Sequence, residues 1–340
     1  MFRSTRATSS FGHLLRRQTS FVTPFALFVA LLIIAAVRGP HLFTSDGLAG
    51  AIVAAAPLIL ATLALTVIAI AGPAGVDLSI GPLMTFVNIA IVLGLTKVGL
   101  TGPVAVFAFA IGLGVVLEVA MGALVATIRL STVIVTLAAY LILDGLNTVI
   151  LPQPGGLAPD WLSNWGSGTQ FLSPALYVLI ASFVLWAILS RTTFFRNIRL
   201  MGGSDRTAFA SGLRLIPTRI GAHVIAGVFA GIAAVMYTGL IGSADPSAGT
   251  SFTLSAVTAL ILGGASLSGG SARALGSVLG AVDIYLISYV LVTFNFGLNA
   301  SYMVQVTTGT VLVIALVVGG LLTGISVRRR RRAGKVGGEV

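Results

Sequence analysis

Long apolar runs alternate with short polar connections along the chain, near residues 21–37, 48–71, 82–96, 103–127, 132–150, 173–190, 219–241, 253–268, 272–293 and 301–325. A bilayer's hydrocarbon core is about 30 Å thick and takes about 20 helical residues to cross, so the pattern predicts about ten crossings. The predicted fold class is all-α, a polytopic membrane helical bundle. Two runs are short. Thr253 to Gly264 holds 12 residues and as a helix covers only about 18 Å, and Leu83 to Thr96 covers about 21 Å. Beside each stands the same skeleton, Gly-x-(Asp/Ser)-Leu-Ser-x-Gly, as Gly75-Val76-Asp77-Leu78-Ser79-Ile80-Gly81 and as Gly264-Ala265-Ser266-Leu267-Ser268-Gly269-Gly270. Polar, glycine-broken backbone is tolerated at membrane depth only where protein or water covers it, and paired interruptions in two halves of a chain mark a transport pathway. The copies fall in crossings two and three and in crossings eight and nine, which predicts a parallel internal repeat with discontinuous helices.

Composition sharpens the class. Of 340 residues, 56% are hydrophobic and 9% charged, with mean hydropathy +1.05, which excludes a water-soluble globule. A formal net charge of +11 would suit nucleic acid if it were spread over a surface. Here it is concentrated, so no nucleic-acid partner is expected. A basic arm over 1–20 carries Arg3, Arg6, Arg16 and Arg17. The 191–219 connection carries six arginines against Asp205 alone, and a 326–340 tail carries Arg328 to Arg332 and Lys335. The bias of basic residues toward the inner side places all three in the cytoplasm, around a transmembrane domain over 21–325. An even number of crossings puts both termini on one side, in agreement. The first run lacks a small-x-small cleavage site and reads as a retained anchor rather than a signal peptide. The 151–172 connection has no Lys or Arg and falls outside. Its Trp161 and Trp165 are either interfacial anchors or a docking pair. The arginine tail locks topology and attracts anionic lipids.

The chain has no cysteine and three scattered histidines, His13, His41 and His223, so no metal cluster is expected. It also has no Gly-x-x-x-x-Gly-Lys-(Ser/Thr) loop, which excludes P-loop hydrolysis of ATP by this chain. An engine would dock from outside. Gly202-Gly203-Ser204-Asp205-Arg206-Thr207-Ala208-Phe209-Ala210-Ser211-Gly212 offers a start signal, a short helical run and a terminating glycine, predicting a small helix outside the membrane.

Asp77 is the leading pathway candidate, because a buried carboxylate at membrane depth needs a polar partner or water. It either caps the helix that carries Leu83, with Ser79, or touches the solute. Thr85 and Asn88 share a helix face, a polar stripe for solute or for a neighbouring helix. Glu118, Asp144 and Asp283 lie within apolar runs that hold no Lys or Arg to pair them except near their ends. Each either lines the pathway or bonds to serine or threonine. Ser266 and Ser268 of the second copy complete the pathway set. Arg273 reads as an interfacial residue.

The stretches Ala71-Gly72-Pro73-Ala74-Gly75-Val76-Asp77-Leu78-Ser79-Ile80-Gly81, Arg129-Leu130-Ser131-Thr132-Val133-Ile134-Val135-Thr136-Leu137 and Leu262-Gly263-Gly264-Ala265-Ser266-Leu267-Ser268-Gly269-Gly270 resemble the permease subunits of bacterial ribose-type sugar ABC importers, over about Leu48 to Gly320. The resemblance implies a bacterial inner-membrane subunit that is not an enzyme and holds no cofactor, with ATP and Mg bound by a partner ATPase. Its implied partners are ABC ATPase subunits, an extracytoplasmic solute-binding protein, and a second permease copy, identical or a sister. It also implies that Gly202, Gly203, Asp205, Ala208, Phe209 and Gly212 form the coupling helix seated in the ATPase. Asp144-Gly145-Leu146, Met121, Asp283 and Tyr285 depart from the family's usual residues and leave the solute open. The alternative is an ion-coupled secondary transporter working through Asp77, Glu118, Asp144 or Asp283. A membrane enzyme is weakest, since no nucleophile-base set is present.

Overall fold

The computed structural model describes residues 24–72, 75–166, 172–266, 269–296, 302–315 and 317. Among these the chain is helical, with one isolated β-bridge between Gly155 and Ala244. The helices are α1 (Pro24–Arg38), α2 (Ser45–Ala71), α3 (Ile80–Leu95, π-wound from Ala90), α4 (Pro103–Thr127), α5 (Thr132–Ile150), α6 (Asp160–Gly166), α7 (Pro174–Arg191), α8 (Thr193–Gly203), α9 (Asp205–Ala210), α10 (Leu215–Ile241), α11 (Ala248–Leu262), α12 (Ala274–Val292) and α13 (Tyr302–Ala315). Six of them, α2, α4, α5, α7, α10 and α12, are long and apolar enough to cross a membrane, and α1, α3, α11 and α13 are shorter apolar helices. The ten apolar runs of the sequence are therefore ten helices, and the protein is a multi-pass membrane bundle.

Two helices form the axis. Helices α2 and α10 have 27 residues each, about 40 Å of helix. Their most apolar stretches are 83% and 78% buried, against 28%, 22% and 17% for α4, α5 and α7. A helix apolar on every side belongs at the centre. The polar residues of α2 are accommodated internally, Thr62 donating to the Leu58 carbonyl at 2.7 Å and Thr66 to the Thr62 carbonyl at 2.6 Å. Helix α4 lies directly on α10, with Gly114 facing Gly227 and Gly231; small residues let membrane helices approach backbone to backbone. Outer faces of α5 and α7 expose Ile134, Leu141, Val149, Val184 and Ile188.

Both copies of the repeated skeleton lie between helices, at the tips of two hairpins, α2 with α3 and α11 with α12. As the sequence leads one to expect, the second copy interrupts the apolar segment; α11 begins five residues earlier than the run, at Ala248, and ends at Leu262, just before the copy. After the first hairpin's α2, residues 75–79 double back into the bundle, and Gly75 sits against the Ile68 carbonyl. That extended stretch covers depth a helix would otherwise cover, so α3 is short.

Trp161 and Trp165 are half-buried and pack against the core. Trp161 Nε1 donates to the Thr101 carbonyl at 2.6 Å, and its ring meets Trp165 edge-on at 4.8 Å.

Candidate functional site

Residues 75–79 and the first turn of α3 need partners for their backbone, and side chains of two other elements, α5 and α11, supply them together with Asp77 itself. Thr136 of α5 accepts from Leu78 N–H at 3.1 Å. Thr253 of α11 accepts from Gly81 N–H at 3.1 Å and donates to the Leu78 carbonyl at 3.2 Å. Asn147 of α5 donates to the Pro82 carbonyl at 3.0 Å. Asp77 Oδ1 accepts from both Ser79 N–H and Ser79 Oγ–H at 2.7 Å, so Asp77 fastens the turn that starts α3. Uncovered backbone at this depth would be costly; threonine and asparagine make it tolerable.

Asp77 is 1% exposed and Glu118 is fully buried. Ser79, which holds Asp77, places its Oγ 3.3 Å from the Met121 sulfur of α4, one turn beyond Glu118. On the far side, Glu118 Oε2 is 2.7 Å from His223 Nδ1. His223 stands eight residues into α10, about 12 Å from its start. Of the two expectations for Glu118, pathway lining or a serine or threonine partner, the second is corrected: its partner is a histidine 105 residues away. Helix α4 is shaped for that ring, since a β-carbon at Gly122 would come within 2.6 Å of His223 Cδ2.

Other expected residues are placed differently. Asn88 is buried and anchors the α10–α11 turn, donating to Thr238 Oγ1 and the Ser243 carbonyl at 2.9 Å each and accepting from Asp245 N–H at 3.1 Å. Thr85 is buried on the same helix. Ser266 closes the second turn through its backbone, its N–H donating to the Ser271 carbonyl at 2.9 Å, whereas Ser268 lies outside the described residues. Asp283 is buried, with neither carboxylate oxygen paired among the described residues, and Asp144 is half-buried on α5. Asp77, Ser79 and Glu118 thus meet in one cluster, which neither Asn88 nor Asp144 joins.

A pocket of about 180 Å³ opens beside the first break, lined by Leu78, Leu137, Tyr140, Thr250, Thr253 and Leu254. Tyr140 and Thr250 hydroxyls hydrogen-bond across it at 2.6 Å. These two residues were not singled out by sequence reasoning. Their signal is slight: a tyrosine and a threonine within apolar helices.

On the arginine-rich face, Ser204 caps α9 by accepting from Thr207 N–H at 3.3 Å, and Gly212 ends it at φ 83°. Ala208 faces inward at 2% exposure, and Phe209 faces out at 71%. Asp205 is held by Arg219, Nη2 reaching both carboxylate oxygens at 2.8 Å. Gly203 is open, with nothing within 4 Å of a β-carbon there. Gly202 is wedged, since a β-carbon there would overlap the Ile70 carbonyl and lie 3.2 Å from Gly270 Cα. Gly270, at φ 78°, donates its N–H to the Ala69 carbonyl at 2.8 Å. The end of α8 therefore touches both hairpin tips at once.

Residues 47–316 match the family model described as the permease component of the branched-chain amino acid transport system. The chain belongs to that family. Among curated proteins, this permease is 30% identical over 252 residues to the ribose import permease protein RbsC of Bacillus subtilis, 71% of this chain and 75% of the relative. It is 28% identical over 304 residues to RbsC of Escherichia coli K12, covering 85% and 91%. To the D-allose transport system permease protein AlsC of the same organism it is 32% identical over 256 residues, covering 73% of each. No solved structure matches the chain. The permease is a transport subunit rather than an enzyme.

Proposed function

We propose that this permease, with a second copy of itself or a sister chain, forms the pathway of an ABC importer for a sugar or similar small polar solute. Separate ATPase subunits bind ATP and Mg and drive it, and an extracytoplasmic binding protein delivers the solute. The observation that carries this reading is the contact of Gly202 with Ile70 and Gly270: a push on the α8–α9 segment reaches both breaks without passing through flexible chain. The exposed Phe209 suits a cleft in a partner, since an aromatic anchor seated in a pocket dominates many interfaces. The arginines of this connection and of both terminal segments support a cytoplasmic side for all three in a bacterial inner membrane. The wall of the pathway is the pocket beside the first break, whose lining is apolar, with the Tyr140–Thr250 hydroxyl pair as the polar group that opening would release to a solute. Asp77, Ser79 and Glu118 shape that wall from behind, in the broken helix.

Reconstitution in vesicles tests the proposal. Uptake of a sugar such as ribose or allose is expected only with the ATPase and binding protein present and ATP supplied. Uptake by this chain alone, driven by a Na⁺ or H⁺ gradient, would overturn it in favour of an ion-coupled carrier.

A further inference from the structure

The break at Asp77 has a counterpart that the glycine-rich skeleton does not reveal. Asp77 to Thr85 and Asp245 to Thr253 share the pattern Asp-x-Ser-x-Gly-x-x-x-Thr, and the shared residues make the same bonds. Asp77 Oδ1 accepts from Ser79 N–H and Oγ–H at 2.7 Å each, at the start of α3. Asp245 Oδ1 accepts from Ser247 N–H at 2.8 Å and from Ser247 Oγ–H at 2.7 Å, at the start of α11. Each short helix follows one of the two axial helices, α3 after α2 and α11 after α10. Helices α2 and α10 run in opposite directions. A β-carbon at Gly72, past the end of α2, would lie 3.7 Å from the Arg219 guanidinium near the start of α10, while Val53 near the start of α2 lines one gap with Met236 and Gly239 near the end of α10. The repeat is therefore inverted, α2 and α3 against α10 and α11, where the sequence expectation was a parallel repeat built on the Gly264 skeleton.

The two copies meet. Gly81 and Gly249 hold the same place in the pattern and lie against each other: a β-carbon at Gly81 would overlap the Gly249 carbonyl, and one at Gly249 would come within 3.0 Å of Pro82 Cα. Thr253 of the second copy bonds to Gly81 N–H and to the Leu78 carbonyl of the first. The pocket of about 180 Å³ is walled by both copies, with Leu78 from one and Thr250, Thr253 and Leu254 from the other. Exposure separates them. Asp77 and Ser79 are sealed, whereas Asp245 is half-buried and Ser247 and Thr250 are exposed. Inverted repeats whose broken helices meet inside the bundle give many transporters a pathway with two ends. We propose that Asp245 and Ser247 are positioning residues for transport: they hold the start of α11 as Asp77 and Ser79 hold the start of α3, and the two starts form one gate at Gly81 and Gly249, sealed beside the first copy and open beside the second. A solute admitted past Thr250 stops at the glycine contact until α3 and α11 part, and each helix parts as a rigid unit only while its own start is fastened.

The gate rests on the transport reading for its readout, and a double-mutant cycle tests it in vesicles that carry the chain with the ATPase and binding protein. Ser79→Ala and Ser247→Ala each delete one of the two bonds to the aspartate and keep the other, so both proteins are expected to fold. Each is expected to lower the maximal uptake rate about threefold to tenfold, the worth of one hydrogen bond, with KM unchanged. One shared gate keeps the double variant within about twofold of the slower single variant, whereas two unconnected helix caps multiply their losses to roughly 10- to 100-fold. Multiplied losses overturn the proposal, and so does a loss that only follows the folded fraction read by melting. Thr44, an exposed cap of α2 that accepts from Gly47 N–H at 3.1 Å, is the control. Thr44→Ala is expected to transport as the unmodified chain does; a loss as large as that of Ser247→Ala would make Ser247 an ordinary cap and overturn its role. Uptake by the unmodified chain on an ion gradient alone would end the importer reading, and the same cycle run on that uptake still decides the gate.

Discussion

Replacing Gly202 by alanine puts a methyl group where the Ile70 carbonyl oxygen already lies, with Gly270 Cα 3.2 Å away. Both obstacles are backbone, so no rotamer change relieves the overlap and α8 must move off one hairpin tip. Overpacking of this kind costs up to about 3 kcal/mol. Alanine's better helix propensity returns at most about 1 kcal/mol, leaving a net loss of about 2 kcal/mol, roughly 30-fold in the folding equilibrium. The adjacent Gly203 is a matched control, because nothing lies within 4 Å of a β-carbon there and only the propensity gain remains. Melting of the two variants in detergent, followed by ATP-dependent uptake in vesicles, separates them. Gly202→Ala is expected to melt lower and to lose most uptake, while Gly203→Ala melts no lower than the unmodified chain and transports normally. If Gly202→Ala melts and transports normally, the α8 end does not lock the two breaks together and the coupling route fails.

Thr253→Val keeps shape but leaves the Gly81 N–H and the Leu78 carbonyl without their partner; a destabilisation of about 1–3 kcal/mol is expected, with Thr253→Ser restoring it, and equal melting of all three proteins would refute the role. Phe209→Ala removes an exposed ring, so melting should change by less than about 0.5 kcal/mol. ATPase binding measured by titration should weaken by roughly 30-fold, the loss of about 2 kcal/mol typical of an aromatic anchor; unchanged affinity would exclude Phe209 from the docking surface. Tyr140→Phe deletes the hydroxyl that meets Thr250, and uptake assays should show KM raised about tenfold, matching one lost hydrogen bond, with normal melting. An unaltered KM would remove the pocket from the pathway.

The ten apolar helices, the short arms beside each repeated skeleton and the small helix over Asp205–Ala210 were legible in the sequence. Each depends on local quantities: the length of an apolar run against bilayer thickness, a serine before a helix, a glycine after it. The family resemblance, too, rests on contiguous motifs. What was missed is non-local. Glu118 looked unpaired because only Lys and Arg were sought inside apolar runs, yet His223 lies within such a run and is its partner. Asp205 reads as a surface charge for docking, but Arg219 holds it. Gly202 and Gly203 look alike in the chain, and one is jammed while the other is open.

By itself, then, the amino-acid order determined which segments enter lipid and where helix must stop, because partition into hydrocarbon and the start and stop signals of a helix act over a few residues. Only the tertiary structure decided how the stops are made tolerable. Thr253 reaches Gly81 across 172 residues, and Glu118, Asp77 and His223 come from three separate elements. A backbone or carboxyl group shut away from water must find its partner within the protein, and that partner is chosen by which helices pack together.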